Sequence, residues 1–323
     1  MKKISIFLVI ILIIHNTSIQ ATSQTNNMKY PCSTGTNTNE NTFDIPYDHE
    51  KTNYSHMKTN SSAPVKNGYS DVNGIKMYYE IYGEGKPLVL IHGGGSTIQT
   101  SFGRIIPLLA SHRQLICVEL QAHGRTSDRN TVISFEQDAD DVFELLKNLN
   151  IHKADVLGFS NGGNTALQLA IRHPEICHKI IAGSILLKRE GTFPQFWEFM
   201  KNGTFDQMPQ QYKDAFLQVN PDKEKLMNMY QKCADRMNNF KDFPDEQLKS
   251  IKAPVLLING SSDVATPEHI VAMSRIIPNC NLAIIPGGHG EYIGEITTLK
   301  PDYKESDFIT PMIESFFSKN EIK

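Results

Sequence analysis

The sequence predicts an α/β fold: a mostly parallel central sheet flanked by helices, with a helical cap inserted over it. Three observations lead there. Short apolar runs recur along the chain with helical patterns between them, which is the signature of strands alternating with helices in a three-layer sandwich. These runs are apolar at successive positions rather than alternating, as strands buried on both faces require. One interval of roughly 70 residues breaks the rhythm, far beyond an ordinary connection.

The first residues stand apart from that pattern. Lys2 and Lys3 precede an apolar run over 4–14 interrupted only by Ser5, and polar residues follow up to Ala21. This is the layout of a signal peptide over 1–21. A membrane span needs roughly 20 apolar residues, about twice this run. Export to the periplasm or the medium is therefore expected, with no stable membrane insertion after cleavage. Cys32 follows Lys29, Tyr30 and Pro31 rather than a small residue, which argues against a lipid anchor there. Residues 22–63 are dominated by Asn, Thr and Ser, too poor in large apolar side chains to offset the entropy of ordering, and are expected to be a disordered leader.

The folded domain is expected over 64–323. It opens with a hairpin signal, Asn73-Gly74, between 69–72 and the alternating stretch 75–82. Buried strands are then predicted at 88–91, 115–118, 154–157, 180–182, 255–258 and 282–285. Ser134 and Gln137 have capping-box spacing ahead of Val142, Leu145, Leu146 and Leu149, which share one helix face. Thr266-Pro267 places a capping hydroxyl and a first-turn proline before Ile270, Met273 and Ile277. The long interval, 188–250, reads as the cap. It contains the only tryptophan, Trp197, with Phe193, Phe196, Phe199, Met200, Phe205 and Phe216. Such a lid would exclude water, so Trp197, together with Gly95 and Phe159, is expected to line a substrate pocket.

Bulk composition narrows the function. The apolar share of 40% suffices for a packed core, and 32 basic against 35 acidic side chains leave a formal net charge of only -3. No electrostatic footprint for nucleic acid appears, so a small-molecule substrate is the expected partner. The five cysteines are scattered without the short paired spacings of a zinc or redox site. No metal or cofactor is expected.

Two motifs carry chemistry. Gly158-Phe159-Ser160-Asn161-Gly162 follows a predicted strand and precedes a predicted helix, the context a nucleophile elbow requires. The sharp turn strains the backbone at Ser160, and Gly158 and Gly162 are small enough for strand and helix to approach. His92-Gly93-Gly94-Gly95 follows the strand at 88–91. Glycines there let backbone N–H groups reach an oxygen that becomes negative, so the amides of Gly94 and Asn161 are the expected oxyanion-hole donors. The lysine and hydroxyl of a phosphate loop are missing from this motif. His92 itself is expected to order the loop.

With the late carboxylate Asp263, after the strand at 255–258, and His289 in Pro286-Gly287-Gly288-His289-Gly290, the chain over about 68–317 resembles the α/β-hydrolase family of esterases and lipases. The resemblance implies a Ser160–His289–Asp263 triad performing acyl transfer. Glu190 is the alternative acid, since some relatives carry it after an earlier strand. His173 and His178 are expected at helix ends, His123 in a loop bordering the site, and His269 on a helix first turn. The serine nucleophile disfavours the aspartate-dependent epoxide hydrolases and haloalkane dehalogenases, and Asn161 stands where proline iminopeptidases carry tryptophan. A small carboxylic ester or lactone is the expected substrate. Amide or carbon–carbon bond hydrolysis on the same triad, or a non-catalytic ligand-binding role, are the alternatives.

Overall fold

The chain was analysed as a computed structural model that describes residues 63–299, 304 and 306–319. The expected signal segment, and the leader apart from Ala63, lie outside the described residues. The opening hairpin forms because Asn73 and Gly74 both adopt positive φ, 42° and 87°, which suits the twist of the flanking strands. Its strands are β1 (Lys66–Val72) and β2 (Ile75–Tyr82), paired antiparallel with Val72 opposite Ile75.

The remaining strands are β3 (Pro87–Ile91), β4 (Gln114–Val118), β5 (Ala154–Phe159), β6 (Cys177–Gly183), β7 (Val255–Gly260) and β8 (Cys280–Ile285). All eight form one sheet in the order β1-β2-β4-β3-β5-β6-β7-β8, parallel from β4 onward. The alternation of side chains along a strand explains why these runs are apolar throughout. Val89 and Ile91 enter the core on one face and Leu88 and Leu90 the core on the other, as do Ile116 and Val118 against Leu115 and Cys117. Burying each such side chain contributes about 1.5–3 kcal/mol.

The short helices α1 (Ile98–Phe102) and α2 (Ile106–Leu109) cover one face. Helices α3 (Phe135–Asn148) and α4 (Asn161–Arg172) cover the other. Consecutive connections from β3 and β5 thus leave the sheet on opposite faces, although the two strands are neighbours with Ile91 beside Gly158. A crevice opens where the connections diverge, at the carboxyl ends of β3 and β5, and that is where open α/β sheets place their ligands. Both motifs sit at its edge.

The long interval folds as helices α5 (Pro194–Asn202), α6 (Gln210–Val219), α7 (Lys223–Asn238) and α8 (Asp245–Lys249). Phe216, Leu226 and Met229 form a small core of its own with Phe205 and Met208. Its last part behaves differently from the rest: Phe240, Phe243 and Leu248 pack in the main core beside α3 and α4. Buried Arg236 and Asp138, 2.9 Å apart, join α7 to α3.

The strand at 282–285 departs from expectation. β8 is the edge strand, so Leu282 and Ile284 are exposed rather than buried on both faces. The capping box at Ser134 is half formed: its hydroxyl accepts from the Gln137 amide, while the Gln137 side chain donates to Asp141 instead. Thr266 caps the helix α9 (Pro267–Ile276) through the His269 amide, with Pro267 in its first turn. A final helix, α10 (Ser306–Ser318), covers the face opposite α4.

Candidate active site

Ser160 stands between β5 and α4 with φ 54° and ψ −123°, a region that costs a non-glycine residue about 1–3 kcal/mol. The surroundings enforce it, since its amide donates to Gly183 O at 2.8 Å and its carbonyl accepts from Gly163 and Asn164. A serine at a helix start usually spends its hydroxyl on capping, but Ser160 makes no such bond. Its Oγ instead lies 3.0 Å from His289 Nε2.

His289 follows β8 on a glycine-rich loop, and its Nδ1 lies 2.6 Å from Asp263 Oδ1. Asp263 follows β7 and is itself held by donors: the Val264 amide to Oδ1 at 2.6 Å, and the Gly260 amide and the Ser184 hydroxyl to Oδ2 at 3.1 and 2.6 Å. Ser184 also meets Tyr292 Oη at 2.9 Å. Burial alone would raise the Asp263 pKa, but the charge and hydrogen bond of His289, with Ser184 and Gly260, hold it below the usual range. Burial likewise opposes the charged imidazole, yet the Asp263 charge and hydrogen bond raise the His289 pKa above its ordinary value. The carboxylate therefore fixes the proton on Nδ1, leaving Nε2 to accept from Ser160.

The loop after β3 is organised by two buried histidines. His92 Nε2 accepts from the Leu120 amide at 3.0 Å and its Nδ1 meets Gly93 O at 2.7 Å. His123 Nε2 accepts from the Gly95 amide at 3.0 Å and its Nδ1 meets Gln121 O. Gly93 donates to Ser101 Oγ. That leaves the Gly94 amide, which makes no protein hydrogen bond among the described residues, and the Asn161 amide at the first turn of α4, whose amides have no partner within the helix. A Cβ on Gly94 would come within 2.4 Å of Asn161 Nδ2, so the loop and the elbow are in contact. Two free amides beside the serine, at a helix start, make a place for an oxygen acquiring negative charge.

The expected pocket residues fare differently. Gly95 lies under the cap, 3.5 Å from Met208 Cε measured from the place its Cβ would take. Phe159 is only 1% exposed and faces the His289 ring at 4.9 Å between centroids, so it supports the imidazole rather than lining a pocket. Strand alternation turns the residue before Ser160 inward. Trp197 lies under the Arg189 guanidinium and against Phe240 and Phe196, and its Nε1 donates to Arg189 O. These contacts place it at the base of the cap, against the main core. Trp197→Ala should then cost about 2 kcal/mol in urea unfolding, less than the ~3–5 of a fully buried tryptophan, while leaving acyl-length preference unchanged. Met208→Ala should change that preference instead. An altered length profile at unchanged stability in Trp197→Ala would restore the pocket role.

Glu190, the alternative acid, is exposed in a turn over Arg189–Gly191, whereas Asp263 meets His289 directly. His173 and His178 pair with Asp140 and Asp155, and His269 accepts from the Leu187 amide. Cys117, Cys177, Cys233 and Cys280 are free thiols. Two surface clefts, one beside Lys179 and Pro254 and one beside Lys86 and Arg113, open at the amino ends of the parallel strands, the end opposite to Ser160.

A family model described as the alpha/beta hydrolase fold matches residues 86–244. The chain is 26% identical over 251 residues to serine hydrolase BPHL of Homo sapiens, covering 72% of this chain and 84% of that one. It is 22% identical to the 2-hydroxy-6-oxo-6-(2'-aminophenyl)hexa-2,4-dienoic acid hydrolase of Metapseudomonas resinovorans, covering 66% and 83%. Among solved structures, the enol-lactonase of Burkholderia xenovorans LB400 superposes with a TM-score of 0.61 at 21% identity, over 78% of this chain and 100% of that one. The chain belongs to the α/β-hydrolase family.

In this α/β-hydrolase, sequence reasoning missed the residues that act on the triad from behind. Ser184 holds Asp263 and is itself met by Tyr292, while Glu295 lies close to His289 and Tyr212 close to Glu295. None belongs to a local motif. Ser184 offers one faint signal, as a polar residue directly following the apolar strand β6.

Proposed function

We propose that this α/β-hydrolase is a serine hydrolase that cleaves a small carboxylic ester or lactone through an acyl-enzyme on Ser160. The observation that carries it is the connected line from Asp263 Oδ1 through both nitrogens of His289 to Ser160 Oγ, at 2.6 and 3.0 Å. Ser160 attacks the carbonyl carbon as its proton passes to Nε2, and the carbonyl oxygen moves toward the amides of Gly94 and Asn161. The imidazolium gives that proton to the departing alcohol. Water, deprotonated in turn by His289, then releases the acid. No step calls for a cofactor.

A second reading, cleavage of an amide or carbon–carbon bond on the same residues, draws support from the dienoic acid hydrolase among the relatives. A panel of chromogenic esters, lactones and a vinylogous ketone, run on purified protein, separates the two. Esters or lactones are expected to exceed the ketone by at least about tenfold in kcat/KM, and the opposite order would favour the second reading.

The pH profile follows from His289, which must be neutral to accept the proton. Because its pKa lies above the ordinary 6.5, kcat/KM should fall on acidification through a midpoint above 6.5. In Asp263→Asn, which removes the larger of the charges that raise the imidazole pKa and leaves burial opposed by Glu295 alone, the midpoint of the residual activity should move down. A midpoint unmoved by the substitution would remove Asp263 from the triad.

A further inference from the structure

Beside the triad lies a cluster of polar groups that the acyl-transfer steps do not use. Glu295 is fully buried in the segment after His289, its amide donating to Gly290 O at 3.2 Å. Its Oε2 accepts from the Thr297 amide at 2.9 Å and from the Thr297 hydroxyl, which holds the following turn. Its Oε1, equally buried, makes no hydrogen bond of good geometry. Ser96, next to Gly95 of the oxyanion loop, is 1% exposed, and its Oγ likewise makes no hydrogen bond of good geometry. From the cap, the half-buried Tyr212 reaches the same place. Its hydroxyl comes within hydrogen-bonding reach of Glu295, Ser96 and Thr297; burial raises its phenol pKa most, then the charge and hydrogen bond of Glu295, while Ser96 and Thr297 lower it. Glu295 and His289 feel each other's charge.

Buried polar groups nearly always find partners, because leaving one unpaired forfeits its hydration. Two buried oxygens without a well-formed hydrogen bond, on two segments that flank the reacting serine and with the Tyr212 phenol of the cap in reach of both, constitute a place built for a polar part of the substrate. We propose that Ser96, Tyr212 and Glu295 form a subsite that selects esters or lactones bearing a neutral hydroxyl over their hydrocarbon isosteres. The inference rests on Ser160 being the acylating nucleophile.

The class of ligand follows from the bonding. Both Thr297 donors lie on Oε2, so a neutral Glu295 carries its proton on Oε1 and needs an acceptor, while an ionised one needs a donor at the same place. A hydroxyl is both. A methyl group would leave Oε1 and Ser96 Oγ without a well-formed partner in a dry site, the situation in which binding sites discriminate most strongly. An ammonium group would require the ionised carboxylate, which burial disfavours, since it raises the Glu295 pKa.

The test uses matched esters on the full protein: ethyl 3-hydroxybutanoate against ethyl 3-methylbutanoate, 2-hydroxyethyl butanoate against propyl butanoate, and ethyl 3-aminobutanoate as the cationic control. In the wild type, the hydroxylated member of at least one pair should be favoured at least about tenfold in kcat/KM. Glu295→Gln should keep most of that preference. Glu295→Leu should abolish the preference, slowing the hydroxylated ester at least about tenfold more than its methyl isostere, so that any general effect through His289 divides out of the ratio. Tyr212→Phe, which removes only the hydroxyl of a half-buried side chain, should reduce the preference severalfold, slowing the hydroxylated ester more than the methyl isostere. Equal rates within both pairs, a preference for the amino ester, or a hydroxyl preference untouched in Tyr212→Phe and Ser96→Ala would each overturn the subsite. A protein that labels with a fluorophosphonate yet cleaves neither hydroxylated ester also overturns it. One that neither labels nor turns over any ester refutes the serine-hydrolase reading instead.

Discussion

Wild-type protein is expected to label with a fluorophosphonate probe and to turn over a chromogenic ester, and Ser160→Ala to do neither. An unactivated serine hydroxyl is a poor nucleophile at neutral pH, so its reactivity reports on the imidazole 3.0 Å away. His289→Ala should therefore suppress labelling almost as far, because no other base meets Ser160 Oγ among the described residues. Asp263→Asn should cost less than either but still on the order of a hundredfold or more. The asparagine amide can satisfy the Nδ1 position while favouring the wrong tautomer, and it withdraws the charge that stabilises the imidazolium. The three groups act as one unit, so combining the substitutions should add little to the single serine loss. A silent Asp263→Asn would reassign the acid, and wild-type labelling no greater than that of Ser160→Ala would leave only a ligand-binding role.

The second large effect is on stability. In Gly162→Ala, the new Cβ would stand 2.1 Å from Ile91 O and 2.4 Å from His92 O, both backbone atoms at the end of β3. Neither can swing aside as a side chain could. Overpacking a rigid site costs ~1–3 kcal/mol and more where backbone must move, so a loss of at least about 3 kcal/mol is expected in urea unfolding, or failure to fold. Gly68→Ala is the control. Its Cβ would meet the Tyr79 hydroxyl at 3.6 Å and the ring at 3.8 Å, ordinary contacts, and stability should change by no more than about 0.5 kcal/mol. Equal stability of the two variants would mean that α4 can back away from β3, and that the elbow is not enforced by close approach.

What the sequence determined by itself is whatever a short window of chain can encode. The Asn73-Gly74 hairpin, the doubly apolar strands and the caps at Ser134 and Thr266 are dictated by local conformational preference and by the burial of alternating side chains. The elbow and the glycine loop were legible for the same reason, since each is one strand, one turn and one helix start. His289 and Asp263 were legible only through the resemblance and their places after late strands, because nothing within a window around either one states that it will meet Ser160.

Tertiary structure alone decided the rest. Leu282 and Ile284 read like core residues, but β8 has no strand beyond it, and position in a sheet is not written in the strand itself. Trp197 read like a lid aromatic, yet residues 240–248 return to the main core and draw the tryptophan onto Phe240 and Arg189. Phe159 sits in the motif itself but points inward to carry the His289 ring. Ser184, Tyr292 and Glu295 gather around Asp263 and His289 from the end of β6 and the segment after His289, and Tyr212 joins Glu295 from the cap. Groups brought together across such sequence distances act through charge and hydrogen bonding in a dry interior, where short distance matters far more than order along the chain.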